Sequence, residues 1–372
     1  MTNLALYHRI RFAVGDPTAL IELPGDPKHR LLIIRDIEMQ RARRDARADE
    51  VVCPKDFAPK DWEIGDRELE TAQSVAECLR VKGIDHITTD RTLPAVYSHY
   101  IQKAGITIDC DPDLGVRDRR SKDAEELQHL RDAQKISEGC MQMACETIAR
   151  SNAASDGGLI LEGAPLTSER MFELIDIWFL KHGGATPHGS IVAGGPIGAD
   201  CHDRGAGQLF TGQPIIIDLF PYIKSSHYHG DCTRCVVHGD IPDEVAKMHK
   251  TVIEAKKAAE NATRAGVTAD AVHAATIKVI EANGYSMGLP ELDAPDTACT
   301  MPHGTGHGIG LDVHEPPLID VGGPELVEGD VLTIEPGLYC KAIGGIRIED
   351  MVAVTKDGIE NFNTLQTDLT WA

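Results

Sequence analysis

Five side chains in the last 155 residues are of types that hold metal ions: Asp218, Asp231, His307, Glu335 and Glu349. They fall on motifs that repeat. Gly212-Gln-Pro-Ile-Ile-Ile-Asp218 parallels Gly329-Asp-Val-Leu-Thr-Ile-Glu335, a glycine, an apolar strand and a carboxylate six residues on. A second acid follows 13 positions later in the first copy (231 − 218) and 14 in the second (349 − 335), each expected in a new strand. Two similar hairpins carrying two acids each predict a pseudo-symmetric site in which four carboxylates face one another. Oxygen ligands suit hard divalent cations, and an imidazole admits transition metals as well. Between the hairpins, His303-Gly-Thr-Gly-His307-Gly-Ile-Gly-Leu-Asp-Val-His314-Glu supplies imidazoles on a glycine-rich segment.

Each feature also has a plainer reading. An aspartate ending a strand, as Asp218 does, commonly starts a turn, but an equivalent acid at Glu335 makes coincidence a poor explanation. Arg347 and Glu349 share a strand face, so they either form a surface ion pair or Arg347 orients the site; the second is expected. Glycines at 304, 306, 308 and 310 lose much backbone entropy on folding. Close approach of a substrate backbone is the expected reason for them, since the spacing does not fit a dinucleotide fingerprint and no helix follows. His229 shares a face with Asp231, which allows a substrate contact, although a supporting or solvated role is the expectation. His182, His188 and His238 read as ordinary hydrogen-bonding histidines.

The elements that must position these groups divide the chain in two. Residues 1–118 read as an α/β domain: strands near 31–34, 83–89 and 105–109, and a helix from Leu69 to Lys82 ended by Gly83, predicting a small, mostly parallel sheet. Residues 119–372 open with Ser121 as the expected N-cap of a long helix whose apolar face is Leu127, Leu130, Ile136, Cys140 and Met143. A second helix runs from Thr167 to His182, and strands follow near 190–193 and 214–217. The order then recurs: Pro242 opens a helix, Thr268 caps another, and the histidine segment and second hairpin follow. This repetition predicts an α+β domain of two pseudo-two-fold αα-ββ halves around a curved antiparallel sheet.

With 372 residues, 42% hydrophobic and 26% charged, the chain reads as an ordinary globule of two or three domains. Its net charge of −21 argues against nucleic acid or an anionic membrane as partner. The one basic run, Arg41 to Arg47, is interleaved with acid and reads as a solvated helix face. No apolar stretch approaches a membrane span, and the opening residues show no signal-peptide pattern. Ten cysteines without a disulfide framework suggest a reducing, cytoplasmic setting. Cys232-Thr-Arg-Cys235 is not read as a redox pair, because strand positions three apart point to opposite faces.

The C-terminal two-thirds resembles the pita-bread metallopeptidases: methionine aminopeptidase, aminopeptidase P, prolidase and the related metal-free creatinase. The motifs that carry this are His303 to Glu315, Thr333-Ile-Glu-Pro-Gly-Leu-Tyr339 and Gly345-Ile-Arg-Ile-Glu-Asp350. The leading domain resembles that of the proline-specific members, a creatinase-like N-terminal domain. The resemblance implies two divalent ions per chain, manganese foremost, with cobalt, zinc or iron also fitting. Asp231 and Glu349 would bridge them, Asp218 would complete one side, and His307 and Glu335 the other. Glu335 would also take a proton from the attacking water bridging the ions, with His202, His303 and His314 as accessory catalytic residues. The implied function is a metallo-exopeptidase of aminopeptidase P or prolidase type, acting as a homodimer on peptides with proline second. Two rivals stand beside it: a metal-free C–N hydrolase like creatinase, and a non-catalytic peptide-binding relative. Five intact ligands argue against both. The chain departs from many members in the 13-residue spacing of its first two aspartates, where 11 is usual, and in His229, where an aromatic is expected.

Overall fold

A computed structural model describes residues 3–371. The chain separates into two compact units, Met1–Arg119 and Arg120–Ala372.

The first unit holds two small ladders instead of one mostly parallel sheet. Ala19–Leu23 pairs antiparallel with His29–Ile33, which pairs parallel with Glu50–Val52. His86–Thr89 and Thr107–Cys110 form a separate parallel pair. The helix Arg67–Val81 begins at Asp66, whose carboxylate accepts the backbone N–H groups of Glu68 and Leu69, the usual way of satisfying a helix's first free donors. Its Ala72, Val75, Ala76 and Leu79 pack on Leu31 and Ile33.

The second unit opens with the 26-residue helix Ala124–Ala149. Its N-cap is Asp123, not Ser121: Asp123 and Glu126 close a capping box, while Ser121 Oγ donates to the Glu328 carbonyl. Its buried face also differs from the expected one. Leu130 and Cys140 are buried, but Ala133, Gln134, Ser137, Met141, Ala144, Cys145 and Ile148 complete the face, and Leu127, Ile136 and Met143 only flank it. The cause is proximity. At Gly230 a side-chain carbon would lie 2.3 Å from Ser137 Oγ and 2.8 Å from the Ala133 carbonyl oxygen, so around positions 133–137 the face has room only for small or hydrogen-bonding residues.

The helix Ser168–Lys181 follows, capped by Thr167 as expected. The antiparallel ladder Ile191–Gly194, Pro214–Leu219, Cys232–Val237 comes next. Its alternation shows in the packing: Ile215 and Ile217 join the core under the first two helices, and Ile216 joins the core on the opposite face. Cys232 and Cys235 likewise enter opposite cores, which disposes of a redox pair between them.

The second half repeats the plan with helices Asp243–Ala262 and Ala269–Ala282, the latter capped by Thr268. A five-stranded ladder runs in the order Glu315–Ile319, Gly306–Gly308, Val331–Ile334, Asp350–Val354, Ile359–Asn361. A four-stranded one runs Ser286–Met287, Cys299–Met301, Gly337–Cys340, Gly344–Arg347. Asp231 and Glu349 each stand immediately before a strand, not inside one. The Glu349 N–H donates to the Thr233 carbonyl at 3.1 Å, so the two halves touch where the acids are. Among the described residues no helix is long and apolar enough to cross a membrane.

Candidate metal centre

Asp231, His307 and Glu349, up to 118 positions apart in the chain (349 − 231) but adjacent in space, are all buried and each offers a ligand atom within 4.8 Å of the others. Glu335 flanks them: His307 Nε2 lies 3.4 Å from Glu335 Oε1 and 3.7 Å from Asp231 Oδ2. Asp218 is tied in through Arg347, whose Nη2 donates to Asp218 Oδ2 at 2.7 Å while its Nε lies 4.0 Å from Glu335 Oε2. Arg347 therefore spans the two acids that end the paired strands. It is buried, so it is no surface partner of Glu349.

The electrostatics are those of anions crowded away from water. Burial first, then Glu349, Asp218 and Glu335, push the Asp231 carboxyl well above the ordinary range. Burial, then Glu335 and Asp218, do the same to Glu349. Glu335 is raised to about 7, chiefly by burial, with Arg347 opposing and Asp218 adding. Burial holds His307 down at about 4. Carboxylates so placed disfavour one another's ionisation, and cation charge removes that penalty.

Two further observations fit a divalent metal. Asp218 Oδ1 is buried with no hydrogen-bond partner. His307 Nδ1 faces the carbonyl oxygen of Gly308 at 3.1 Å. A carbonyl only accepts, so the ring proton sits on Nδ1, and Nε2 presents a lone pair beside Asp231 and Glu335, the tautomer a metal ligand needs.

The scaffold holding these groups was not foreseen. Gln134 is fully buried on the first helix; its Oε1 accepts the Asp231 N–H at 2.9 Å and its Nε2 donates to the Asp231 carbonyl at 2.6 Å. Thr233 Oγ1 donates to Glu349 Oε2 at 2.7 Å. Arg234, also fully buried, donates to the carbonyls of Thr233, Glu349, Leu365 and Gln366 and to Asp350 Oδ1. Thr333 Oγ1 accepts the His307 N–H at 3.0 Å and donates to Glu335 Oε1 at 3.3 Å. Thr233, Arg234 and Asp350 lie inside the quoted motifs, so a signal existed for them. Gln134 carried none.

The accessory histidines differ from one another. His303 is held at both nitrogens: Nδ1 donates to the Gly304 carbonyl at 2.7 Å, and Nε2 accepts from Tyr339 OH at 2.8 Å, whose oxygen accepts from Arg347 Nη1 at 2.8 Å. Burial keeps this ring neutral, down at about 4. His314 is exposed, with its ring edge-on to His307 at 4.3 Å between centroids. His202 is exposed, and no hydrogen bond joins its ring to the acids among the described residues. His229 is buried beside Tyr222, and its N–H donates to the Gly310 carbonyl, tying the Asp231 segment to the glycine-rich one. His182 stacks on Trp178, His238 bonds Thr211 and Ser151, and His188 is exposed.

The four glycines serve the chain's own packing, not a substrate. A side-chain carbon at Gly306 would fall 2.0 Å from the Thr333 carbonyl oxygen, at Gly308 2.5 Å from that of Glu315, at Gly310 2.6 Å from Glu315 Oε1, and at Gly304 2.9 Å from the Ile319 oxygen.

The profile of metallopeptidase family M24 matches residues 128–356. A probable dipeptidase PepE of Mycobacterium tuberculosis is 39% identical over 184 residues, 48% of this chain but only 45% of that protein, so the match spans less than half of the relative. An Xaa-Pro dipeptidase of Pyrococcus horikoshii is 27% identical over 295 residues, 78% of this chain and 76% of that one. The solved Xaa-Pro dipeptidase from Bacillus anthracis superposes with a TM-score of 0.79 over 99% of this chain and 93% of that chain at 23% identity, a likeness of fold. The fold is the pita-bread fold.

Proposed function

We propose that this chain, which belongs to metallopeptidase family M24, is a metal-dependent exopeptidase that removes the N-terminal residue from peptides with proline second, in the manner of a prolidase or aminopeptidase P. The observation that carries the reading is the convergence of Asp231, His307 and Glu349, flanked by Asp218 and Glu335, in a buried acidic centre. Two divalent ions per chain would fit these donors, and Asp218, Asp231, His307, Glu335 and Glu349 are the residues that would hold them. Such ions polarise a carbonyl and make water acidic enough to ionise near neutral pH.

The chain's own groups divide the remaining work. Glu335 is the group to accept a proton from water and return it, since it flanks His307 at the centre; Thr333 Oγ1 and Arg347 fix its orientation. His314, exposed against His307, is placed to steady a developing oxyanion or serve the leaving nitrogen. His202 shares that role if a bound peptide reaches its exposed turn. His303 has no free nitrogen, which supports a role acting through Tyr339 and Arg347 on Asp218. A free substrate amine is suited to direct metal ligation, which would restrict cleavage to the N-terminus.

Manganese is the favoured ion, with cobalt, zinc and iron compatible with mixed oxygen and nitrogen donors. A homodimer and a cytoplasmic setting complete the reading; ten free cysteines suit a reducing compartment. The test is a digest of a peptide library by manganese-loaded protein, read by mass spectrometry. Release of single N-terminal residues ahead of proline is expected. Internal cleavage, or cleavage indifferent to the second residue, would overturn the exopeptidase or the proline part respectively.

A further inference from the structure

We propose that Cys299 and Cys340 form a redox modification site, an opposed thiol pair that peroxide converts to a cross-strand disulfide. The two residues are direct partners across the antiparallel strands Cys299–Met301 and Gly337–Cys340. In a strand a residue's N–H and C=O point to the same side, and opposed antiparallel pairs alternate between hydrogen-bonded and non-hydrogen-bonded. The Cys340 carbonyl accepts the Ile343 N–H at 3.0 Å, within the turn to Gly344–Arg347. Its polar groups therefore face that neighbour, and toward Cys299 the pair is non-hydrogen-bonded. That geometry brings Cα atoms to about 4.5 Å, inside the range a disulfide spans.

Both cysteines are reduced and line one cavity of about 370 Å³, shared with Glu244, Lys247 and Tyr285, so their side chains leave the sheet on the same face. Cys299 is partly exposed and Cys340 is 1% exposed, its thiol donating to the Asp296 carbonyl at 3.4 Å. Cys299 is thus the residue an oxidant reaches. Its deprotonated sulfur attacks hydrogen peroxide, forming a sulfenic acid and releasing water. Cys340 then attacks the sulfenic sulfur, losing its proton and expelling a second water. Two thiols and one peroxide give one disulfide and two waters, with two electrons passing from sulfur to oxygen. The bond would close residues 299–340 into a ring that contains His303, His307, His314 and Glu335.

The reaction is slow by construction. Burial first, then Cys340 and Glu244, with Lys247 opposing, push the Cys299 thiol up to about 12, and Tyr285 on the same cavity is also raised to about 12. Thiolate, the reactive form, is scarce at neutral pH, which makes this a mark of sustained oxidation and not a fast sensor.

The experiment exposes the reduced, full-length protein to hydrogen peroxide, alkylates the remaining thiols and maps the digest by mass spectrometry. A Cys299–Cys340 linked peptide is expected as the main intramolecular product, forming roughly tenfold faster per pH unit. It should raise the melting temperature by about 5 °C or more, and dithiothreitol should reverse both effects. Cys340→Ser should leave Cys299 as a sulfenic acid that dimedone traps. If that variant does not fold, the wild-type map still decides. Alkylated Cys299 and Cys340 in protein whose exposed Cys110 has been oxidised, or Cys299 carried to sulfinic acid beside a free Cys340, would overturn the proposal.

Discussion

Removing metal from this protein at pH 5 and again at pH 8 should give two states of different stability. The reason lies in Glu335, whose carboxyl is moved by burial from an ordinary 4.5 to about 7. Below pH 4.5 folded and unfolded chains both hold this proton, and the site costs nothing. Above it the unfolded chain releases the proton while the folded one keeps it, so stability falls as pH climbs. Above about 7 the folded carboxyl ionises too and the loss is complete, at about 3 kcal/mol. Asp231 and Glu349, raised well above their ordinary values, extend the fall to higher pH. For a domain of this size about 3 kcal/mol corresponds to roughly 6–12 °C in melting temperature.

The assay is scanning calorimetry on chelated protein from pH 5 to 8, repeated with saturating Mn²⁺ and on Glu335→Gln. Chelated wild-type protein should lose stability across this range, and Glu335→Gln should lose less by about the Glu335 share. Metal should stabilise more at pH 8 than at pH 5, because it binds the ionised carboxylates. A flat or rising melting temperature in chelator, or equal stabilisation by metal at both pH values, would show that the acids are not crowded as described.

Asp231→Ala and Glu349→Ala should each lower metal content and abolish hydrolysis together, as elemental analysis and a peptide assay on one preparation would show; retained turnover in either would remove it from the centre. His314→Ala should keep its metal and its melting temperature while kcat falls about tenfold to a thousandfold; unchanged kcat in metal-loaded protein would exclude His314 from the chemistry. Gln134→Ala leaves the N–H and C=O of Asp231 unpaired, and metal affinity measured by titration calorimetry should drop about tenfold to a hundredfold; unchanged affinity would make the clamp irrelevant to the site. Gly306→Ala should cost about 3 kcal/mol in chemical denaturation, since its new carbon meets the Thr333 carbonyl oxygen at 2.0 Å, and a near-normal midpoint would refute the packing argument.

The acids were legible because they occur twice. One carboxylate after an apolar strand is a common turn; two such strands, each followed by a second acid, constrain one another. Helix starts were legible where one side chain did the capping, as at Thr167 and Thr268. At the first helix two candidates competed, and the decisive mark was the glutamate three residues after Asp123, which closes the box that Ser121 lacks. Gln134 and Arg234 act on backbone atoms of distant segments, and a backbone atom leaves no trace in residue identity. A buried glutamine on a helix face reads as an interruption of the apolar stripe until its partner is seen.

The glycines show the same limit in a form that returns to the site. Sequence shows a glycine at 306, but not which group would meet a side chain there. That group is the Thr333 carbonyl. With the two segments this close, Thr333 Oγ1 reaches the His307 N–H and, at the same time, Glu335 Oε1. The absent side chain at 306 thus sets the spacing between an imidazole and a carboxylate that stand 3.4 Å apart. The expectation that a substrate backbone approaches these glycines is corrected: at 306 the approaching backbone is the protein's own, and it acts on the site by bringing Thr333 between His307 and Glu335.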